Sequence, residues 1–176
     1  MAKSRKRLQN ITEPARIKTI TKEELSTAPL FFDFRYNFLK CESIKKWGFT
    51  NLLKDEREFA KVSFEIYSKI IPSIQKAWDS RKMGKKGYFP HTHEVPRNMM
   101  STVMDIANQL HGAEIVDKYS NLWQIGTNQS IRIICIRIDN IMYPLFVDYH
   151  HQLHPSSKYN QKDLAKYNFC PYQKYA

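Results

Sequence analysis

Five of the six histidines in this 176-residue chain fall in two groups, His91-Thr92-His93 and His150-His151-Gln152-Leu153-His154. Imidazole gives or takes a proton close to neutral pH, and it also ligates metals. Tyr149 precedes the second group and Lys158 follows shortly after it. Such a set suits cleavage of an RNA phosphodiester by attack of its own 2′-hydroxyl. That reaction needs a base for the hydroxyl proton, cations for the charge of the phosphorane, and an acid for the leaving oxygen. Histidine supplies base or acid, and lysine or arginine holds the phosphate, arginine through a bidentate fork. Neighbouring strand residues point to opposite faces, so His150 and His151 should not share a role. A plain packing role for either one is the competing reading.

Metal binding is a further alternative. In an extended segment His91 and His93 point the same way, as ligands would, and His154 and Cys170 add a nitrogen and a sulfur of the kind zinc accepts. The two groups lie about 60 residues apart and no CxxC accompanies them, so His91, His93 and His154 rank as lesser candidates and no cofactor is called for.

The charge of the chain points to its partner. The net charge is +11, and the excess is concentrated before residue 100. It is densest in Arg5, Lys6 and Arg7 and in Arg81, Lys82, Lys85 and Lys86. Clusters of this kind neutralise phosphates and release counterions, so they are the candidate nucleic-acid contacts, with RNA the favoured partner. A solubilising surface, or attraction to anionic lipid, is the alternative. The chain carries neither GxGxxG nor GxxxxGK, which removes the main support for a nucleotide-binding fold. Cys41, Cys135 and Cys170 are odd in number and far apart, as expected of reduced thiols in a cytoplasmic protein. The basic stretch Met1–Asn10 has no apolar run behind it, so it does not read as a secretory signal. No apolar run approaches the ~20 residues needed to span a bilayer, so no membrane partner is expected.

These residues need elements to position them. Residues 1–27 read as a basic, partly flexible arm with a short helix near Lys22–Leu25. Leu30–Tyr36 is aromatic and partly alternating, as a first strand would be. Asp55 followed by Glu58 makes a capping box, and Phe59, Val62, Ile66, Ile70, Ile74 and Trp78 recur at helical steps behind it. Pro72 should kink that helix, and Gly84 and Gly87 should open a basic loop. Pro96 begins a second helix with Met99, Val103, Ile106, Ala107 and Leu110 on its buried stripe. Three strands follow, Leu122–Thr127, Ser130–Ile138 and Ile141–Tyr149, the last two joined by a turn at Asp139-Asn140. Both faces of the middle strand are apolar, so it should be central, with the helices on one face and an arm, loop or partner on the other. Arg132 falls on the face of Ile134 and Ile136, where Asp148 of the next strand is a possible structural partner. Tyr159, Tyr167, Phe169, Tyr172 and Tyr175 either pack a tail onto the sheet or stack on unpaired bases.

The expected fold is α+β, in β-α-α-β-β-β order. A small, mostly antiparallel sheet carries two helices on one face, over residues 28–155, with a C-terminal aromatic and basic extension at 156–176. This order, with Trp123-Gln124-Ile125, Ser130–Ile134 and Leu145–His151, resembles the RelE/ParE superfamily of toxin-antitoxin toxins. The RelE branch cleaves mRNA, often at the ribosome, and the ParE branch acts on gyrase. The resemblance spans roughly residues 30–154. It implies that Arg132 corresponds to the strand arginine and that Tyr149, His150 and His151 correspond to the site at the end of the last strand. It also implies an acidic antitoxin as a partner. The basic arm, an enlarged helical region and the C-terminal extension lengthen this chain beyond the family's pattern. An RNA-targeting endoribonuclease is therefore expected, with a non-enzymatic nucleic-acid- or protein-binding accessory protein as the alternative.

Overall fold

The structure, a computed structural model, describes residues 22–127, 130–154 and 164–176. Arg5, Lys6, Arg7 and Lys158 lie outside these residues. The helices are α1 (Lys22–Thr27), α2 (Glu56–Glu65), α3 (Ile71–Ala77), α4 (Arg97–His111) and α5 (Pro171–Tyr175). The strands are β1 (Phe31–Phe32), β2 (Ser43–Ile44), β3 (Phe49–Thr50), β4 (His93–Glu94), β5 (Leu122–Ile125), β6 (Arg132–Ile138) and β7 (Ile141–Asp148). A mixed five-stranded sheet runs β1-β7-β6-β5-β4, and β2 and β3 form a separate hairpin.

The sheet centres on β6, and its packing follows from the two apolar faces of that strand. Ile131, Ile133 and Cys135 join one core with Ile66, Ile70 and Ile74, while Ile134 joins a second with Val103, Ile106 and Leu110 of α4. The helices thus lie on opposite faces, which corrects the expectation of two helices on one face. A strand apolar on both sides gains about 25 cal/mol for each Å² of apolar surface removed from water, so both sides must be covered.

The helix beginning at α2 is set by its cap. Asp55 accepts a hydrogen bond from the Glu58 backbone N–H at 2.8 Å, and Glu58 accepts in return from the Lys54 N–H at 2.7 Å. Pro72 stands in the first turn of α3, and the turn before it, Ile66–Ile70, is widened to a π-helix. Proline has no N–H for the ladder, and the wide turn keeps Ile66, Ile70 and Ile74 all fully buried.

At the C-terminal end of the sheet, β5, β6 and β7 form the expected antiparallel meander, turned at Asp139, whose φ is 53°. In β7 Leu145 is an extra residue, since Ile134 faces Phe146 and Cys135 faces Pro144. The bulge accommodates Pro144 and leaves the Leu145 carbonyl to accept from His111 Nε2 at 2.8 Å. The first strand is only two residues long and runs parallel to β7. Asp33 ends it by turning back to bind the Arg35 backbone N–H and guanidinium. Three elements were not expected, the β2–β3 hairpin, the edge strand β4 and the short helix α5. Near the C-terminus Phe169 pairs with Leu53 through two backbone hydrogen bonds of 2.9 Å, and Cys170 enters the α2–α3 core. No helix among the described residues is long and apolar enough to cross a membrane.

Truncating Ile133, fully buried at the centre of the sheet, should lower stability by about 2–5 kcal/mol in Ile133→Ala, read by urea unfolding. A loss under about 1 kcal/mol would show that β6 is not the packed centre.

Candidate functional site

The two histidine groups, far apart in sequence, meet at one end of the sheet. Edge strand β4 brings His93 beside Gln124 of β5, with which it pairs in register. Thr92 anchors this approach: it is fully buried, its Oγ1 donates to the Gly126 carbonyl at 2.8 Å, and it accepts from the Gly126 N–H at 3.1 Å. From the other side the turn after β7 delivers His151 and His154. Asp148 shapes that turn by accepting from the backbone N–H groups of His150 (3.1 Å) and Leu153 (2.9 Å). His151 has φ 60°, a left-handed conformation that costs a non-glycine residue on the order of 1 kcal/mol. Ring centres of His93 and His154 are 6.3 Å apart, and those of His151 and His154 are 6.0 Å apart.

Gln124, only 2% exposed, organises these rings. Its amide nitrogen donates to the His91 carbonyl at 3.2 Å and lies 3.4 Å from His93 Nε2. Its oxygen therefore faces His154 Nε2, at 2.7 Å. An amide oxygen only accepts, so His154 carries its proton on Nε2 and keeps a lone pair on Nδ1. His93 Nδ1 lies 2.8 Å from the Glu94 carbonyl and so bears the proton there, leaving its Nε2 to accept from Gln124. One buried amide thus sets the tautomers of two histidines.

Arg132 supplies the fixed charge. It is 2% exposed and donates to the Ile131 carbonyl at 2.8 Å. It stands opposite Asp148 in the β6–β7 ladder. Its stem lies against Gly126, where a Cβ would meet Arg132 Cδ at 2.9 Å and Nη1 at 3.1 Å. Burial pushes the His154 pKa down to about 4, helped by the nearby His151, His93, Arg132 and His91. Burial also lowers His91, again with Arg132, His151 and His93 acting on it. Burial acts first on both rings, and the charged neighbours named with it are basic side chains. The acid of this end of the sheet, Asp148, is fully buried opposite Arg132 and accepts from the N–H groups of the turn.

Other expected residues lie elsewhere. Tyr149 is 4% exposed in the α2–α3 core, and burial raises its pKa well above the usual range. His150 is 5% exposed, with Nε2 2.7 Å from the Leu52 carbonyl and its ring against Tyr167, 5.2 Å between centres. Neither joins the histidine cluster. Arg81 and Lys82 are exposed and both pair with Asp79, whose carboxyl the Arg81 guanidinium holds at about 2. Lys85 and Lys86 are exposed on the same loop, and neither enters an ion pair among the described residues. No group of three or more His, Cys, Asp or Glu among the described residues is arranged to hold a metal ion. Gln124 was missed by sequence reasoning. Its one signal was a polar residue inside the otherwise apolar strand Leu122–Ile125.

The chain matches the family described as "Uncharacterised protein UU032" over residues 33–176 and belongs to that family. A curated relative, Uncharacterized protein UU032 of Ureaplasma parvum serovar 3, is 33% identical over 150 residues, covering 83% of this chain and 82% of the relative. No solved structure is significantly similar.

Two measurements check the site. Since the folded pKa of His154 lies near 4, below its ordinary 6.5, the unfolded chain binds more protons across that window. Stability should therefore fall as pH drops from 6.5 towards 4 and level off below, with a shallower slope in His154→Gln. Urea unfolding at stepped pH reads that slope, and an unchanged slope in the variant would refute the assignment. Gly126→Ala should displace Arg132 and lower stability by about 1–3 kcal/mol, read by thermal unfolding. A neutral result would mean that Arg132 is not held there.

Proposed function

We propose that this chain binds RNA and cleaves it by phosphodiester transesterification at the His91–His93–His151–His154 cluster over Arg132. The observation that carries this reading is the state of His154: neutral, with Nδ1 free to accept a proton, among basic neighbours. A phosphate is an anion that such basic neighbours would favour. Its arrival would raise the depressed histidine pKa values towards neutrality, where an imidazole is most effective as base or acid.

In this reaction His154 Nδ1 takes the proton of the 2′-hydroxyl as its oxygen attacks phosphorus. His151, whose ring centre lies 6.0 Å from that of His154, returns a proton to the departing 5′-oxygen. The P–O5′ bond breaks, leaving a 2′,3′-cyclic phosphate and a 5′-hydroxyl. Arg132 offsets the added charge of the phosphorane from beneath the rings. Lys85 and Lys86 hold flanking phosphates. Two features support the RelE/ParE resemblance: Arg132 comes from the middle strand of the meander, and His151 comes from just after its last strand. The helix on each face of the sheet departs from it. An acidic protein that covers the cationic face would act as the antitoxin.

Single-stranded RNA incubated with the protein in a chelator should yield 2′,3′-cyclic phosphate ends. His154→Ala and His151→Ala should each slow cleavage by about 10²–10⁴-fold. Salt-sensitive binding without cleavage would leave a non-enzymatic RNA-binding accessory protein. Absence of both would end the RNA reading.

A further inference from the structure

A second cavity opens beside the histidine cluster, of about 380 Å³, lined by Gly87, Tyr88, Phe89, Pro90 and Thr127. That volume falls within the ~300–1,000 Å³ of small-molecule pockets. Two of its walls are aromatic, with Tyr88 and Phe89 edge to face and ring centres 5.4 Å apart. Phe89 has φ 44°, in the left-handed region that a bulky aromatic residue rarely adopts. The loop holds it there. The Phe89 carbonyl accepts from the Gly84 N–H at 3.0 Å and from the Thr92 N–H at 2.9 Å, and the Tyr88 hydroxyl donates to the Ala77 carbonyl. Backbone strain kept in place by three such bonds, at the mouth of a cavity, is the mark of a contact surface.

The cavity also adjoins the chemistry. Pro90 immediately precedes His91, and Thr127 follows Gly126, against which Arg132 lies. Lys85 and Lys86 flank it with exposed ammonium groups.

We infer that this cavity receives one unpaired nucleobase of a single-stranded RNA, next to the phosphate held at the histidine cluster. The inference rests on the RNA reading above and names the part of the substrate that the loop recognises. An aromatic face and flanking lysines form the usual platform for a splayed base and its backbone. Phe89 stacks on the base, and the lysines track the neighbouring phosphates.

The test is binding rather than cleavage, using short 2′-O-methyl oligoribonucleotides, which lack the attacking hydroxyl, and fluorescence anisotropy. An abasic position is moved along the strand. Wild-type protein should lose affinity by about tenfold when the abasic position reaches one nucleotide, and little at the others. Phe89→Ala and Phe89→Leu should bind the intact strand about tenfold more weakly and no longer sense the abasic position, while Phe89→Trp should keep that sensitivity. Should Phe89→Ala fail to fold, Phe89→Leu and the wild-type abasic series decide. Salt-sensitive binding that is indifferent to every base, or equally weakened at each, overturns the base pocket and leaves the phosphate site standing. Absence of binding at low salt overturns both.

Discussion

Strand β6 is apolar on both faces, and the rest of the molecule is arranged around covering it. Ile133 and Cys135 must be closed off from water on one side and Ile134 on the other. Helices α2–α3 cover the first face and α4 the second. Both histidine groups and Arg132 gather at the end of the sheet where β6 begins.

Within that site the organising contact is a single amide. Gln124 lies in the buried strand β5, where an unsatisfied polar group would cost about 1–3 kcal/mol. It reaches the His91 carbonyl, His93 Nε2 and His154 Nε2, and in satisfying itself it assigns protons to two rings. Burial, with the neighbouring histidines and Arg132 added to it, keeps His91 and His154 on the neutral side. An arriving anion would favour the protonated form of such rings.

The loop from Asp79 to His93 joins these features to the surface. Asp79 pairs with both Arg81 and Lys82 and offsets one of their two charges, so the loop stays positive, with Lys85 and Lys86 next to the aromatic cavity in sequence. The C-terminal segment packs against the α2–α3 core. Phe169 pairs with Leu53 and Cys170 fills the core that also buries Tyr149, while Tyr167 packs on His150. Tyr167 and Phe169 thus pack, while Tyr172 and Tyr175 are exposed and Tyr159 lies outside the described residues.

Much of the fold was legible from local pattern. The helical recurrence of Ile66, Ile70 and Ile74, the Asp55–Glu58 cap, the stripe of α4, the three-strand meander and the central place of β6 all rest on contacts within a few residues or on alternation. Which face each helix covers was not legible, because an apolar stripe says that a helix is buried and not against which side of the sheet. Edge strand β4 escaped for a related reason: two residues carry no period, and only pairing with β5 defines them. The histidines were visible as chemistry, and their types and cationic neighbourhood came from the sequence by itself. Their convergence did not. It depends on a local turn in which Asp148 bends the chain after β7, and on β4 and His154 meeting Gln124 across some thirty positions, which no local spacing encodes. The same long-range packing drew Tyr149 and His150 to the opposite core and left His151 and His154 to face His93.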